Sequence, residues 1–179
     1  MGYVAAIKNP DISVERLRLI LRYDTEIGHL YWNWRGDVGA WWNGRYAGKR
    51  AATNLDSKGY FCLTIDDHKY RAHRVIWAHV TGEWPDAEVD HRDTNRQNNR
   101  FDNLRKASVE QQRMNMRRHK DNETGFKGVS RNKEFGFRSR IWIAGKEMTA
   151  YFKTAEEAHA DYVEKAKKHF GEFAQSGTH

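Results

Sequence analysis

The stretch VDHRDTNRQNNRFDNLRKAS, residues 89–108, is the part of the chain from which fold and chemistry are best inferred. Its first residues predict the end of a short strand that carries Asp90 and His91. A polar loop rich in Asn and Arg follows and reaches Asn103, and the residues from Leu104 to about Lys120 contain a basic helix. Adjacent residues of a strand point to opposite faces, so we expect the Asp90 and His91 side chains to diverge.

This combination of residue types suits the hydrolysis of a phosphodiester bond. The reaction needs a base for the attacking water, charge stabilisation on the phosphoryl oxygens, and assistance to the leaving oxygen. A neutral histidine can act as the base. A divalent ion held by a carboxylate and a second ligand can supply the other two, and a side-chain amide can fix the tautomer of the imidazole. An Asp–His pair alone is common on protein surfaces, so the flanking sequence has to support this interpretation.

Elements on the N-terminal side of this stretch are predicted from hydrophobic spacing. Apolar residues three and four apart indicate helices, alternation indicates strands, and clustered glycines mark loops. The expected elements are a helix over residues 12–23 with Ser13 as its N-cap, a strand over 28–34, a strand over 60–65 with a turn at 66–69, and a helix over 72–80. Trp41, Trp42 and Trp77 are expected in the core, not as platforms for base stacking.

The C-terminal segment has the pattern of a small sheet packed on one helix. Residues 121–125 form a polar linker, and three short strands are expected near residues 128–131, 136–143 and 148–152. The last helix is expected to start at Thr154, which has the spacing of a capping box with Glu157. This helix should run to about Phe170.

Composition points to a polyanionic partner and a reducing compartment. The 179 residues include 31 Lys and Arg against 24 Asp and Glu, a formal net charge of +7. Lysine and arginine that neutralise phosphates release condensed counterions, so this charge favours nucleic acid. Cys62 is the only cysteine, which excludes an internal disulfide and a multi-cysteine zinc site. No apolar run approaches the roughly 18 residues of a membrane span and no signal peptide is recognised, so we expect a cytoplasmic protein.

Three stretches in this order resemble one family. Residues 89–108 resemble the HNH (ββα-metal) motif of phage and intron-encoded homing endonucleases. Residues 59–85, GYFCLTIDDHKYRAHRVIWAHVTGEWP, are similar to the sequence that precedes the motif in that family. Residues 124–174, which begin TGFKGVSRN, resemble the Apetala/ethylene-response-factor type of DNA-binding domain that often follows it. The resemblance implies a metal-dependent DNA endonuclease of homing type that acts on double-stranded DNA, encoded by a mobile element such as a phage and so present in a bacterial host cell.

The same resemblance implies an α+β fold in three parts. These are an N-terminal module of helix and strand at residues 11–56, an HNH nuclease core with a basic helix at 57–120, and an Apetala-type domain at 121–174. The last part should be a three-stranded antiparallel sheet packed on one helix.

The family's site residues carry over to matching positions. The resemblance implies that His91 is the general base, that Asp90 is the metal-binding carboxylate, and that Asn103, twelve residues after His91, orients the base. Mg²⁺ is the expected ion and Mn²⁺ its substitute.

One position departs from the family's pattern. The second protein ligand of the metal is an Asn or His in the family, and Gln112 stands there in this chain. Its extra methylene displaces the amide oxygen, and Mg²⁺ demands near-ideal geometry, so weak catalysis is one expectation. Asn115 lies close to one helical turn further on and is an alternative ligand.

Arginines supply the candidate DNA contacts. In the basic segment these are Arg105, Arg113, Arg117 and Arg118. The last three could instead form a solvated face, but a basic helix beside a nuclease centre more often contacts phosphates. On the C-terminal strands the candidate contacts are Arg131, Arg138 and Arg140. Arg138 and Arg140 share a face by the strand period of two, and the resemblance implies that this sheet enters the major groove.

Two other interpretations stay open. A DNA-binding regulator with a decayed HNH centre would explain Gln112. An RNA-binding protein would explain the charge but not the combination of Asp90, His91 and Asn103. Asn98 and Asn99 are interpreted as turn formers.

Overall fold

The computed structural model describes residues 12–115 and 121–174, which group into two compact units. The first unit ends at Lys106 and the second begins at Ala107. Helices and small antiparallel sheets make up both units, so the predicted α+β class is confirmed.

The first unit alternates short helices with three small sheets. Strands β1 and β2 form a hairpin, β3, β4 and β5 form a three-stranded sheet, and β6 pairs with β7. The elements are α1 (Val14–Ile20), β1 (Leu21–Asp24), β2 (His29–Trp32), α2 (Ala40–Tyr46), β3 (Asn54–Leu55), β4 (Phe61–Ile65), β5 (His68–Arg71), α3 (Ala72–Thr81), β6 (Glu88–His91) and β7 (Leu104–Ala107), which ends at the unit boundary.

A single apolar cluster holds the first unit together. Leu17 of α1 and Val75 and Ile76 of α3 are fully buried members of it. Helix α1 starts after Ser13, whose hydroxyl accepts the Arg16 N–H at 3.2 Å, as the N-cap prediction requires. The helix is shorter than predicted because Leu21 adopts an extended conformation and pairs with Trp32 in the β1–β2 hairpin.

Helix α2 was not predicted, because closely spaced glycines indicated a loop. The Asn43 side chain stabilises the helix by two hydrogen bonds to the backbone of Arg35. The Arg35 N–H donates to the Asn43 amide oxygen at 2.9 Å, and the Asn43 amide N–H donates to the Arg35 carbonyl at 2.7 Å. The buried Asn43 amide has hydrogen-bond partners for both its N–H and its oxygen within the same segment. These two bonds stabilise the helix by more than the low helix propensity of Gly44 destabilises it.

The three tryptophans predicted as core residues divide into two groups. Trp42 and Trp77 pack against the core cluster. Trp41 does not, because its side chain is 72% exposed on the solvent side of α2. The core assignment of Trp41 was therefore wrong.

The second unit is a three-stranded sheet with one long helix. Its strands lie in the order β10–β9–β8 and are antiparallel. The elements are α4 (Val109–Asn115), β8 (Val129–Asn132), β9 (Gly136–Ile143), β10 (Lys146–Phe152) and α5 (Ala155–Phe170). Thr154 and Glu157 form the predicted capping box at the start of α5. Ile141 of β9 packs with Tyr162 and Ala166 of α5.

None of the helices within residues 12–115 and 121–174 has the length and apolarity required to span a bilayer.

We predict that Gly128→Ala destabilises the second unit. Gly128 has a φ of +75°, and an added Cβ would lie 2.1 Å from the Tyr162 ring. The ring is buried in the core and cannot move away, so overpacking should cost about 1–3 kcal/mol, with further strain from the positive φ. Urea unfolding of the full chain is the measurement. Gly145→Ala, at a φ of +74° with open space around it, controls for backbone strain alone; equal losses in both variants would contradict the prediction.

Candidate active site

His91 ends β6 with its ring turned into the protein. The residue is only 2% exposed, and Nε2 lies 2.9 Å from the side-chain oxygen of Asn99. An amide oxygen only accepts, so the ring donates from Nε2 and the neutral ring keeps its lone pair on Nδ1. Burial lowers the pKa of His91, against the opposing effects of the Asn99 hydrogen bond and the Asp90 charge. The imidazole is therefore neutral at pH 7, as a general base must be.

Two rings pack beside the imidazole and restrict its rotation. The His73 ring centroid lies 5.1 Å away in a T-shaped arrangement, and the Tyr60 centroid lies 5.9 Å away. His73 is itself buried. Its ring contacts with Tyr60 and His91 make it a packing residue of the site.

Asp90 points to the opposite side of β6 from His91, as strand alternation predicts. Its carboxylate accepts from the Arg105 guanidinium at 3.2 Å. Arg105 is 5% exposed and its guanidinium pairs with Asp90, so its DNA contact stays a prediction. The ion pair fixes the carboxylate, since both side chains leave water and the pair is little screened.

Asn103 closes the loop that carries Asn99. Its amide N–H donates to the Asp93 carboxylate at 2.9 Å and to the Asn98 carbonyl at 2.8 Å, and its amide oxygen accepts the Asp93 N–H at 3.1 Å. Asn103 thus orients the loop, while Asn99 contacts the imidazole directly. The Asn-rich sequence gave no signal that separates Asn99 from its neighbours, and the interpretation of Asn99 as a turn former missed this contact.

Gln112, the predicted second ligand, lies in α4 and so in the second unit. The helix starts with a reciprocal pair of hydrogen bonds between Ser108 and Gln111. In its own unit α4 is held by Met114, which packs against the cluster of Ile141, Tyr162 and Ala166. Within the described residues no three or more His, Cys, Asp or Glu side chains converge on a potential metal site.

Residues 70–114 match the model of a family described as HNH endonuclease (HNH_3), over a quarter of the chain. This chain carries an HNH endonuclease domain. The match runs from β5 through α3, β6 and β7 into α4, and so includes His91, Asn99 and Gln112. No curated protein and no solved structure matches the chain. An HNH nuclease domain implies a nucleic-acid substrate.

The β1–β2 hairpin, which lies outside the matched residues, holds the HNH loop by its backbone. The Tyr23 hydroxyl donates to the Asn99 carbonyl at 3.2 Å and accepts the Phe101 N–H at 2.9 Å. Gly28 packs so closely that an added Cβ would lie 2.5 Å from the Arg100 nitrogen. Tyr23 and Gly28 thereby fix the backbone of the residue that holds His91, and no sequence pattern predicted this long-range contact.

Three of the arginines predicted to contact DNA lie on the strands of the second unit. Arg138 and Arg140 of β9 lie on one face, and the intervening Ser139 is fully buried on the other. Exposed Trp142 continues the outward face. Arg131 pairs with Phe137, so it lies on the other face of the sheet from Arg138 and Arg140.

The remaining predicted contacts belong to the basic segment. Arg113 lies in α4. Arg117 and Arg118 lie outside the described residues.

The buried rings predict how stability depends on pH. Burial lowers the pKa of His73 well below its usual value, and the His91 charge adds to this. The unfolded chain therefore binds more protons than the folded chain below about pH 6.5, so stability should be full above that pH and fall on acidification, by up to about 1.4 kcal/mol per pH unit for each ring.

Urea unfolding between pH 7.5 and 5 measures this slope. His73→Gln should flatten it, whereas the same change at the exposed His169 should not. An unchanged slope in the His73 variant would contradict the prediction.

Proposed function

We propose that the chain is a divalent-metal-dependent DNA endonuclease of homing type, in which His91 activates the water that hydrolyses a phosphodiester bond. The observation that carries this proposal is the buried, neutral His91, fixed through Nε2 by Asn99 and preceded in the strand by Asp90, inside a matched HNH domain. The expected products are a 5′-phosphate and a 3′-hydroxyl, as the family resemblance implies.

Each residue around His91 has a separate role in the proposed reaction. The Nδ1 lone pair of His91 accepts a proton from the attacking water, and the positive charge that develops on the ring is stabilised through the Nε2–H donated to Asn99. Tyr60 and His73 keep the ring in one orientation. Fixed orientation matters because a base works only within hydrogen-bond reach of the proton that it removes.

Asp90 supplies one of the oxygen ligands that a hard divalent ion requires. Mg²⁺ is usually held by one or two carboxylates together with substrate phosphates, and Asp90 offers one carboxylate oriented by Arg105. Asp90 would contribute this carboxylate to Mg²⁺ or Mn²⁺, and Gln112 as the second ligand stays a prediction that rests on the resemblance alone. When bound, the ion supplies charge stabilisation at the phosphoryl and leaving oxygens.

The second unit is proposed to position the enzyme on DNA. Its outward face carries Arg138, Arg140 and Trp142, and such a face can contact phosphates and base edges in a groove. The likeness of residues 124–174 to the Apetala type of DNA-binding domain supports this role.

A DNA-binding regulator with a decayed centre is the second candidate. It is favoured by Gln112, which stands where the family has an Asn or His ligand. The two candidates differ in one measurable property, which is cleavage in the presence of a metal.

Nicking of a supercoiled plasmid tests the proposal. We expect cleavage by the full chain with Mg²⁺ or Mn²⁺ and none with EDTA. His91→Ala should lower the rate by roughly 10²–10⁴-fold, the usual effect of losing a general base, while DNA affinity stays unchanged. His169→Ala, at an exposed histidine of α5, is the control. Metal-independent nicking, or full activity of the His91 variant, would contradict the mechanism; DNA binding without any nicking would favour the regulator.

The Asn99 and Tyr23 contacts give a further prediction. Asn99→Ala should lower kcat by about 10–100-fold, as losing an orienting partner does. Tyr23→Phe removes one hydroxyl that bridges Asn99 and Phe101, and should lower kcat about two- to tenfold with little change in KM. Tyr31→Phe, on the same hairpin beneath Arg22, should cleave normally.

A double-variant cycle distinguishes positioning from general loosening. If Tyr23 acts through Asn99, the Asn99→Ala, Tyr23→Phe double variant should be no slower than Asn99→Ala alone. Additive losses would show that Tyr23 acts by another route.

A further inference from the structure

A groove in the first unit is separate from the His91 site. It has a volume of about 530 Å³ and is lined by residues of α2 and of the β3–β4–β5 sheet. Four aromatic side chains, Trp32, Trp41, Trp42 and Tyr46, form much of its wall. The volume is within the range of small-molecule sites, about 300–1,000 Å³, so the groove accommodates a nucleotide or two and not a duplex.

Trp41 is the aromatic residue of this groove that is open to a ligand. Its side chain is 72% exposed, whereas Trp42 and Tyr46 pack against the core. The indole lies against Gly39, where an added Cβ would be 3.0 Å from the ring. The helix beneath it is fixed by the two Asn43 hydrogen bonds to Arg35. A rigid helix thus holds a large apolar ring in solvent. Because the Trp41 side chain is already ordered, little conformational entropy is lost when a flat ligand stacks on it.

The charge of the groove selects an anionic ligand. Arg50 and Lys69 line it, and none of the described lining residues is a carboxylate. Three acidic residues on the neighbouring loops are paired with arginines outside the groove. Asp56 pairs with Arg71, and Asp37 and Asp66 both pair with Arg35.

We propose that this groove binds one DNA strand through an unpaired base, which stacks on Trp41 while Arg50 and Lys69 contact the adjacent phosphates. Aromatic platforms within a positive groove are the usual means of binding single strands without sequence preference. A base inside a duplex hides its faces from an indole, so the ligand is a strand end or a locally opened segment. The proposal rests on the proposed function only for the choice of DNA over RNA.

Fluorescence anisotropy of labelled oligonucleotides tests the groove without catalysis. The full chain is titrated in EDTA against a single-stranded 12-mer, its duplex, and an RNA of the same sequence. Trp41→Ala should weaken single-strand binding about 5- to 150-fold, the range of one lost base stack, and Trp41→Tyr should restore most of it. Lys69→Gln should reduce the slope of log affinity against log salt by about 0.7.

Trp34→Ala is the matched control, because Trp34 is also 72% exposed but does not line the groove. It should bind the single strand as the wild type does. Unchanged binding by Trp41→Ala, equal losses in both alanine variants, or an equal loss on the duplex would overturn the proposal. Tighter binding of the RNA would overturn the choice of DNA.

The wild type and the Trp41→Ala variant distinguish a failure of the groove proposal from a failure of the nuclease proposal. If the wild type nicks no plasmid with either metal while Trp41→Ala still loses single-strand binding, the proposed nuclease function fails and the groove stands. If the wild type nicks plasmid and Trp41→Ala binds the single strand normally, the groove fails and the nuclease stands.

Discussion

The hydrogen bond from the His91 ring to Asn99 determines much of the structure around it. An imidazole that is 2% exposed needs a partner for its N–H, because an unpaired buried donor costs about 1–3 kcal/mol. Asn99 satisfies that need from the middle of a long polar loop, so the loop must hold one conformation. Asn103 provides this by tying Asp93 to Asn98. Tyr23 does so from outside the HNH domain, by bonding to the backbone on both sides of Arg100. Satisfying one buried ring thus links the N-terminal hairpin to the candidate base.

Local patterns in the sequence predicted much of the fold and missed the long-range contacts of the site. The capping box at Thr154 and the strand ending at His91 follow from nearest neighbours along the chain, and both were confirmed. Helix α2 was missed because its stability comes from Asn43 and from packing on Trp32, which glycine spacing does not reveal. Asn99 was missed for a similar reason: four asparagines between residues 95 and 103 look alike until the fold selects one.

The pairing of Asp90 with Arg105 changes the expected behaviour of the carboxylate. Both side chains are nearly buried, at 14% and 5% exposure, so neither charge is tolerated without the other. A divalent ion at Asp90 would have to share the carboxylate with the guanidinium. The guanidinium keeps the acid oriented, and sharing the carboxylate would lower the affinity of an ion proposed to bind there. Substrate phosphates, which bring their own oxygens, are therefore the natural completion of such a site.

The boundary between the two compact units falls inside the HNH match, after Lys106. Helix α4 has seven residues, too few to be stable alone in water. Its stability comes from the second unit, where Met114 packs on the core and the Lys127 ammonium donates to the Met114 carbonyl at the end of the helix. Burial lowers the pKa of Lys127 to about 8, which leaves the ammonium mostly charged at neutral pH. The second unit therefore stabilises α4, the last helix of the HNH match, a role that does not depend on whether its sheet reads DNA.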